Sequence, residues 1–186
     1  MSDNKIKVIF IDIDGVLSPF GEEKYSYKEG EFPYAVKFSQ KCVDNLNKLL
    51  EKSGAKLVIH SDWGKQMKLV NIITIFATHG IKGPYALPKD VGKDDDIKNI
   101  FSDASKLYDI AITEKKFSSN KSHEIGFWLS DYEQFVESYV IIDDKEIYPD
   151  YDAFADRNSR TVKPDSQVGL TEKDVEKALS ILNEKL

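Results

Sequence analysis

Two aspartates, Asp12 and Asp14, stand one residue apart at the end of a short apolar run, KIKVIFI at residues 5–11, and directly before Gly15. On an extended chain, residues i and i+2 point to the same face. Two carboxylates so placed repel each other unless something relieves the charge. A second acidic pair, Asp143 and Asp144, follows another apolar run, YVII at residues 139–142. A divalent cation is the usual relief, and a hard cation prefers carboxylate oxygens of this kind. A third run, AKLVIH at residues 55–60, leads into Ser61 and Asp62. Lys121 heads a stretch in which Glu124, Ile125, Trp128 and Leu129 recur at helical spacing. Lys115 and Lys116 are its rivals for a cationic role. Taken singly, Ser61 is a turn residue, Lys121 a surface lysine and Asp143-Asp144 a turn. Their weight comes from occurring together.

These side chains need elements that bring them to one place. Residues 5–11, 55–60 and 139–142 are short, rich in β-branched residues and bounded by polar ones, as buried parallel strands are. Residues 108–113 (YDIAIT) and 161–163 read as two more strands. Residues 35–52 carry Val36, Val43, Leu46 and Leu50 at spacings of a helix that stops at Gly54. Residues 64–79 form a second helix with Met67, Val70, Ile73 and Phe76 inward. Residues 122–130 form a short third. Residues 171–186 close the chain as a helix with Thr171 at the N-cap and Val175, Leu179 and Leu182 on one face. Residues 81–107 follow no clear period, and their acidic run, Asp94 to Asp96, reads as a solvated loop. Strands alternating with helices imply a doubly wound α/β fold, a three-layer sandwich around a mostly parallel sheet. Ligands of such sheets bind beyond the carboxyl ends of the strands. Asp12, Ser61 and Asp143 all fall there, so one rim collects acid, hydroxyl and ammonium groups.

Asp12-Ile13-Asp14-Gly15-Val16-Leu17 resembles the DxDG(V/T)L signature of the haloacid dehalogenase (HAD) superfamily of phosphatases. Ser61, Lys121 and Asp143-Asp144 resemble its second, third and fourth motifs, in the family's order. Ser61-Asp62-Trp63, the run from Lys121 to Leu129, and Gly169-Leu170-Thr171 resemble more closely the small HAD domains of Swiss Army Knife RNA-repair proteins. Asp62 and Gly64 depart from that group's Ser-Ser-Trp-Arg motif, and Lys121 stands where it often has Arg.

The resemblance implies a HAD-like Rossmannoid fold and a magnesium-dependent phosphatase acting through an aspartyl-phosphate. Asp12 would be the nucleophile and Asp14 the general acid and base. Ser61, Asp62 and Gly15 would hold the phosphate, and Lys121 would offset its charge. Mg2+ would be bound by Asp12, Asp14 (through its carbonyl), Asp143 and Asp144. Family analogy favours Asp144 over Asp143 as the direct ligand, and the sequence leaves the two open. No independent cap domain is expected, only a flap over residues 18–34. Its Tyr25, Tyr27, Phe32 and Tyr34 either stack on a base or pack the flap to the body. His60, Trp63 and Trp128 read as packing residues, and His123 as a helix-start residue.

Composition bounds the rest. The 186 residues suggest one domain, 1–186, and 41% hydrophobic side chains suffice for its core. An aromatic share of 11% argues against disorder. A net charge of −6 argues against a broad duplex footprint. It favours a nucleotide or small phosphorylated metabolite over a long nucleic acid, with a nucleic-acid end as a third substrate class. No run is long enough for a membrane span, and the N-terminus lacks a signal-peptide pattern. The single cysteine fits a reducing, cytoplasmic setting. Two other classes compete. A receiver-type phospho-acceptor also uses acids, a hydroxyl and a lysine, but its acidic pair follows the first strand and its acceptor a later one. A non-catalytic metal-binding interaction module would not need every group for turnover.

Overall fold

The structure is a computed structural model that describes residues 5–21, 37–65, 68–81, 83–86, 113, 121–147 and 159–186. Most of the expected flap, including Tyr25, Tyr27, Phe32 and Tyr34, lies outside the described residues. So do Met67, Lys115, Lys116, the Asp94 to Asp96 run and the strand expected at 108–113, apart from Thr113.

Four described strands, β1 (Ile6–Ile11), β2 (Lys56–Ile59), β3 (Val136–Ile142) and β4 (Thr161–Val162), form one parallel sheet in the order β2-β1-β3-β4. The sheet is covered on both faces, which is why its strands read as continuous apolar runs. On one face Ile9, Ile11, Leu57, Ile59, Val140 and Ile142 pack against α1 (Gln40–Ser53), α2 (Leu69–Thr78) and the closing helix. On the other face Val8, Phe10, Val58, Tyr139 and Ile141 pack against α3 (Lys121–Tyr132). The closing helix, α4, spans Glu172–Leu182, and Thr171 caps it reciprocally with Asp174. The expected three-layer α/β sandwich is therefore present, and no cap domain stands among the described residues.

Several boundaries differ from expectation for physical reasons. Helix α1 begins at Gln40, because Phe38 turns inward against Phe76 and Trp63 instead of continuing a helical face. It ends as expected, with Gly54 in the left-handed region and its N–H donating to the Leu50 carbonyl. Residues Asp62–Lys65 form a separate 3-10 turn before α2. Helix α2 buries Ile72, Ile75 and Phe76, and Val70 is exposed. Strand β3 starts earlier than residue 139, since the buried Ser138 hydroxyl finds acceptors and donors in the Glu184 carbonyl and Arg160.

What matters for the site is one row of hydrogen bonds along the carboxyl edge of the sheet. The N–H of Thr113 donates to Ile59 O, that of His60 to Ile11 O, that of Asp12 to Ile142 O and that of Asp143 to Val162 O. Ile11 is in register with both Ile59 and Ile142. The residues immediately after β2, β1 and β3, namely His60, Asp12 and Asp143, are thus lateral neighbours. Adjacent strands lie about 4.8 Å apart, so their side chains must meet.

Candidate active site

Asp12, Asp143 and Asp144 each direct a carboxylate oxygen into a group whose members lie within 4.8 Å of one another. Asp12 and Asp143 are buried. Lys121 reaches them from the first residue of α3. Its placement follows from packing: Phe10 meets Trp128 edge-on at 5.2 Å, and Ile125, one turn after Lys121, is fully buried. The lysine Nζ donates to Oδ2 of Asp12 and, at 2.7 Å, to Oδ2 of Asp143. Asp12 Oδ1 accepts the N–H of Ile13 at 2.8 Å, and Asp143 Oδ1 accepts that of Lys145 at 2.9 Å.

Charge is unevenly shared. Burial, and then the neighbouring Asp143, push the Asp12 carboxyl above its ordinary range against the pull of Lys121. For Asp143, burial is outweighed by His60 and Lys121, which hold it below that range. Asp144 is raised by burial and by Asp143. Burial lowers Lys121, but Asp12 and Asp143 more than offset it, so the ammonium is held above its usual value. One lysine cannot neutralise three carboxylates. Asp144 Oδ1 is also buried without a hydrogen-bond partner. An all-oxygen donor set with excess negative charge and an unsatisfied oxygen fits a hard divalent cation.

Asp14 does not join this group. After Asp12 the chain leaves the strand, and the N–H groups of Val16, Leu17 and Ser18 fold back onto the Ile13 carbonyl. The i, i+2 relation therefore does not continue as extended strand. Asp14 is exposed, and its Oδ2 accepts the indole N–H of Trp63 at 3.0 Å. Gly15 lies against Asp144, at φ +75°. Ser61 is buried at the end of β2, and its Oγ is 3.4 Å from the Trp63 backbone N–H. Asp62, half-buried, opens the 3-10 turn.

Two residues taken as packing have polar contacts in the site. Trp63 is packed as expected, yet its only side-chain donor meets Asp14. His60 is fully buried, with Nε2 3.4 Å from Asp143 Oδ2 and neither ring nitrogen in hydrogen-bond geometry. The one available sequence signal was position: both flank Ser61 at a strand's carboxyl end.

An α/β domain with a lysine-bridged acidic group at the carboxyl edge of a parallel sheet is the class that fold and site define. The chain belongs to the family described as HAD domain in Swiss Army Knife RNA repair proteins, which matches residues 8–175. That membership points to phosphatase-type chemistry. No curated protein and no solved structure matches the chain. No described helix is long and apolar enough to cross a membrane.

Proposed function

We propose that the chain, as one domain, is a magnesium-dependent phosphoric monoester hydrolase working through an aspartyl-phosphate. The observation that carries this reading is the convergence of Asp12, Asp143 and Asp144 with the Lys121 ammonium among them.

An Asp12 carboxylate oxygen attacks phosphorus as the ester P–O bond breaks. The leaving oxygen takes the proton of the Asp14 carboxyl. Water then attacks the phosphorus of the acyl phosphate and gives its proton to Asp14, which releases inorganic phosphate and restores Asp12. Lys121 lowers the repulsion between the Asp12 carboxylate and the incoming dianion. Its position at the start of α3 adds the positive end of the helix dipole. Ser61, Asp62 and Gly15 would hold the phosphate oxygens. A bound Mg2+ would supply charge neutralisation to the phosphoryl group. Asp12, Asp144 and the Asp14 carbonyl would hold it. Asp144 Oδ1 is buried without a hydrogen-bond partner, so Asp144 would be the direct ligand, with Asp143, held by Lys121 and the Lys145 N–H, as its support.

The family's description names RNA repair, which makes a phosphorylated nucleic-acid end one substrate class beside nucleotides and small phosphorylated metabolites. The net charge of −6 favours the small esters. The single cysteine, Cys42, is buried, with its Sγ donating to the Val168 carbonyl at 3.7 Å, and one cysteine fits a reducing, cytoplasmic setting.

The test is hydrolysis of p-nitrophenyl phosphate with Mg2+, followed by a screen of nucleotides, sugar phosphates and 3′- or 5′-phosphorylated oligonucleotides. Activity that vanishes in Asp12→Asn supports the reading. Activity that survives that substitution rules out the aspartyl-phosphate route.

A further inference from the structure

We infer that Trp63 is a positioning residue for proton delivery: its indole N–H fixes the Asp14 carboxylate so that Oδ1 carries the proton to the leaving oxygen. This inference rests on the phosphatase reading above and deepens it.

Asp14 sits just past the strand, on an exposed turn, where an aspartate samples several rotamers. An acid that must meet one leaving oxygen cannot be left free, because misplacement by about 1 Å costs about a hundredfold in rate. Among the described residues the restraint comes from Trp63. Its Nε1 donates to Asp14 Oδ2 at 3.0 Å, across the gap between the rims of β1 and β2. The indole itself is held by packing. It is 3% exposed and packs on Phe38 at 6.1 Å between ring centroids.

The contact does two things. An indole N–H only donates, so the oxygen it meets must accept. Oδ2 is thereby kept as the acceptor, and Oδ1 is the oxygen left to hold and transfer the proton. The contact also draws Asp14 away from the Asp12, Asp143 and Asp144 group, which separates the proton-carrying carboxyl from the cation-binding ones. Two aspartates one residue apart thus acquire different roles through different partners, Lys121 for Asp12 and Trp63 for Asp14.

The consequence depends on the leaving group. A nitrophenolate departs without a proton, and an alkoxide does not. The test compares kcat/KM for p-nitrophenyl phosphate and for an alkyl phosphate such as glycerol phosphate. This parameter covers only the steps through transfer to Asp12. Trp63→Phe is expected to lose about tenfold or more on the alkyl ester and less than about threefold on the aryl ester. Asp14→Asn should show the same bias more strongly, and adding Trp63→Phe to it should not increase the bias. Phe38→Leu loosens the packing that holds the same ring and should bias the ratio of the two esters in the same direction, by less than Trp63→Phe does. Equal losses on both esters in Trp63→Phe, or a larger bias in Phe38→Leu than in Trp63→Phe, overturn the inference. If Trp63→Phe does not fold, the indole N–H resonance of Trp63 decides. It should move in Asp14→Asn, and an unmoved resonance rejects the contact. A wild-type protein that hydrolyses neither ester overturns the phosphatase reading itself, and this role with it.

Discussion

A β-carbon placed on Gly15 would stand 2.6 Å from both Cγ and Oδ2 of Asp144, closer than real contacts allow. The glycine that follows the DxD segment is thus required twice: for its φ of +75°, and because Asp144, after the neighbouring strand β3, occupies the space a side chain would need. Gly15→Ala is expected to lose about 1–2 kcal/mol from the backbone alone. It should also displace the Asp144 carboxylate and blunt the response to divalent cation. Gly54→Ala is the control. Gly54 has φ +65° and nothing within 4 Å, so it carries a comparable backbone penalty far from the acids. Thermal melts of both variants with and without Mg2+ separate strain from site damage. A normal cation response in Gly15→Ala would count against the close approach.

Lys121 is the only described cation that donates to both Asp12 and Asp143. Lys121→Met keeps the packing length of the side chain and removes the charge. It leaves two buried carboxylates facing each other, and removing one partner of a buried pair costs about 3–5 kcal/mol. The lower end applies, since 13% of the lysine side chain is exposed. Chemical denaturation in EDTA should show a loss of about 3 kcal/mol, and Mg2+ should recover more stability in the variant than in the wild type. Turnover should fall to background. A variant as stable as the wild type in EDTA would mean that the lysine does not hold the acids together.

Much of this arrangement was legible because the residues that place it are local. Residues 5–11 read as a strand from composition alone, and the register Ile11↔Ile59 and Ile11↔Ile142 then brings the polar residues after each strand together. Lys121 could be chosen over other lysines because Ile125, Trp128 and Leu129 define the buried face of its helix. The role of Trp63 was not legible. A tryptophan near a strand end reads as apolar bulk, and only the fold brings its one donor to a carboxylate 49 positions earlier. Helix α2 misled for another reason. LVNIITIFAT is apolar on almost every side, so periodicity did not distinguish buried Ile72 and Ile75 from exposed Val70. The start of β3 was missed because Glu137 and Ser138 interrupt the apolar run. The hydroxyl of Ser138 is accommodated by partners more than twenty residues away.

Asp144 separates cation binding from plain stability. Its carboxyl is raised by burial and by Asp143, so the fold disfavours its ionised form. Asp144→Asn should therefore leave the cation-free protein as stable as the wild type, or more so. The wild type should gain about 2.7 kcal/mol at Mg2+ a hundredfold above its Kd, and the variant should gain far less. Calorimetry across an Mg2+ series, with EDTA-treated protein as reference, reads both effects. An undiminished gain in the variant would exclude Asp144 as a ligand.

The alkaline limit of stability is set partly by Tyr85, far from the acids. Its backbone bridges to Leu57 of β2, the edge strand among the described residues, and its hydroxyl is buried without a hydrogen-bond partner. Burial pushes the phenol well above its ordinary pKa of 10.0. The folded state thus holds the neutral form, while the unfolded chain ionises from the ordinary value upward. The contribution of Tyr85 is fully present below that pH and declines above it, by up to about 1.4 kcal/mol per pH unit, until the raised folded pKa is reached. Tyr85→Phe removes both the ionisation and an unsatisfied hydroxyl. It should be neutral or up to about 1 kcal/mol more stable near pH 7, and it should lose less stability than the wild type between pH 9 and 11, as about one unit on either side of the free phenol's pKa. Urea denaturation at a series of alkaline pH values checks this. Parallel declines for the two proteins would show that the phenol ionises as readily folded as unfolded.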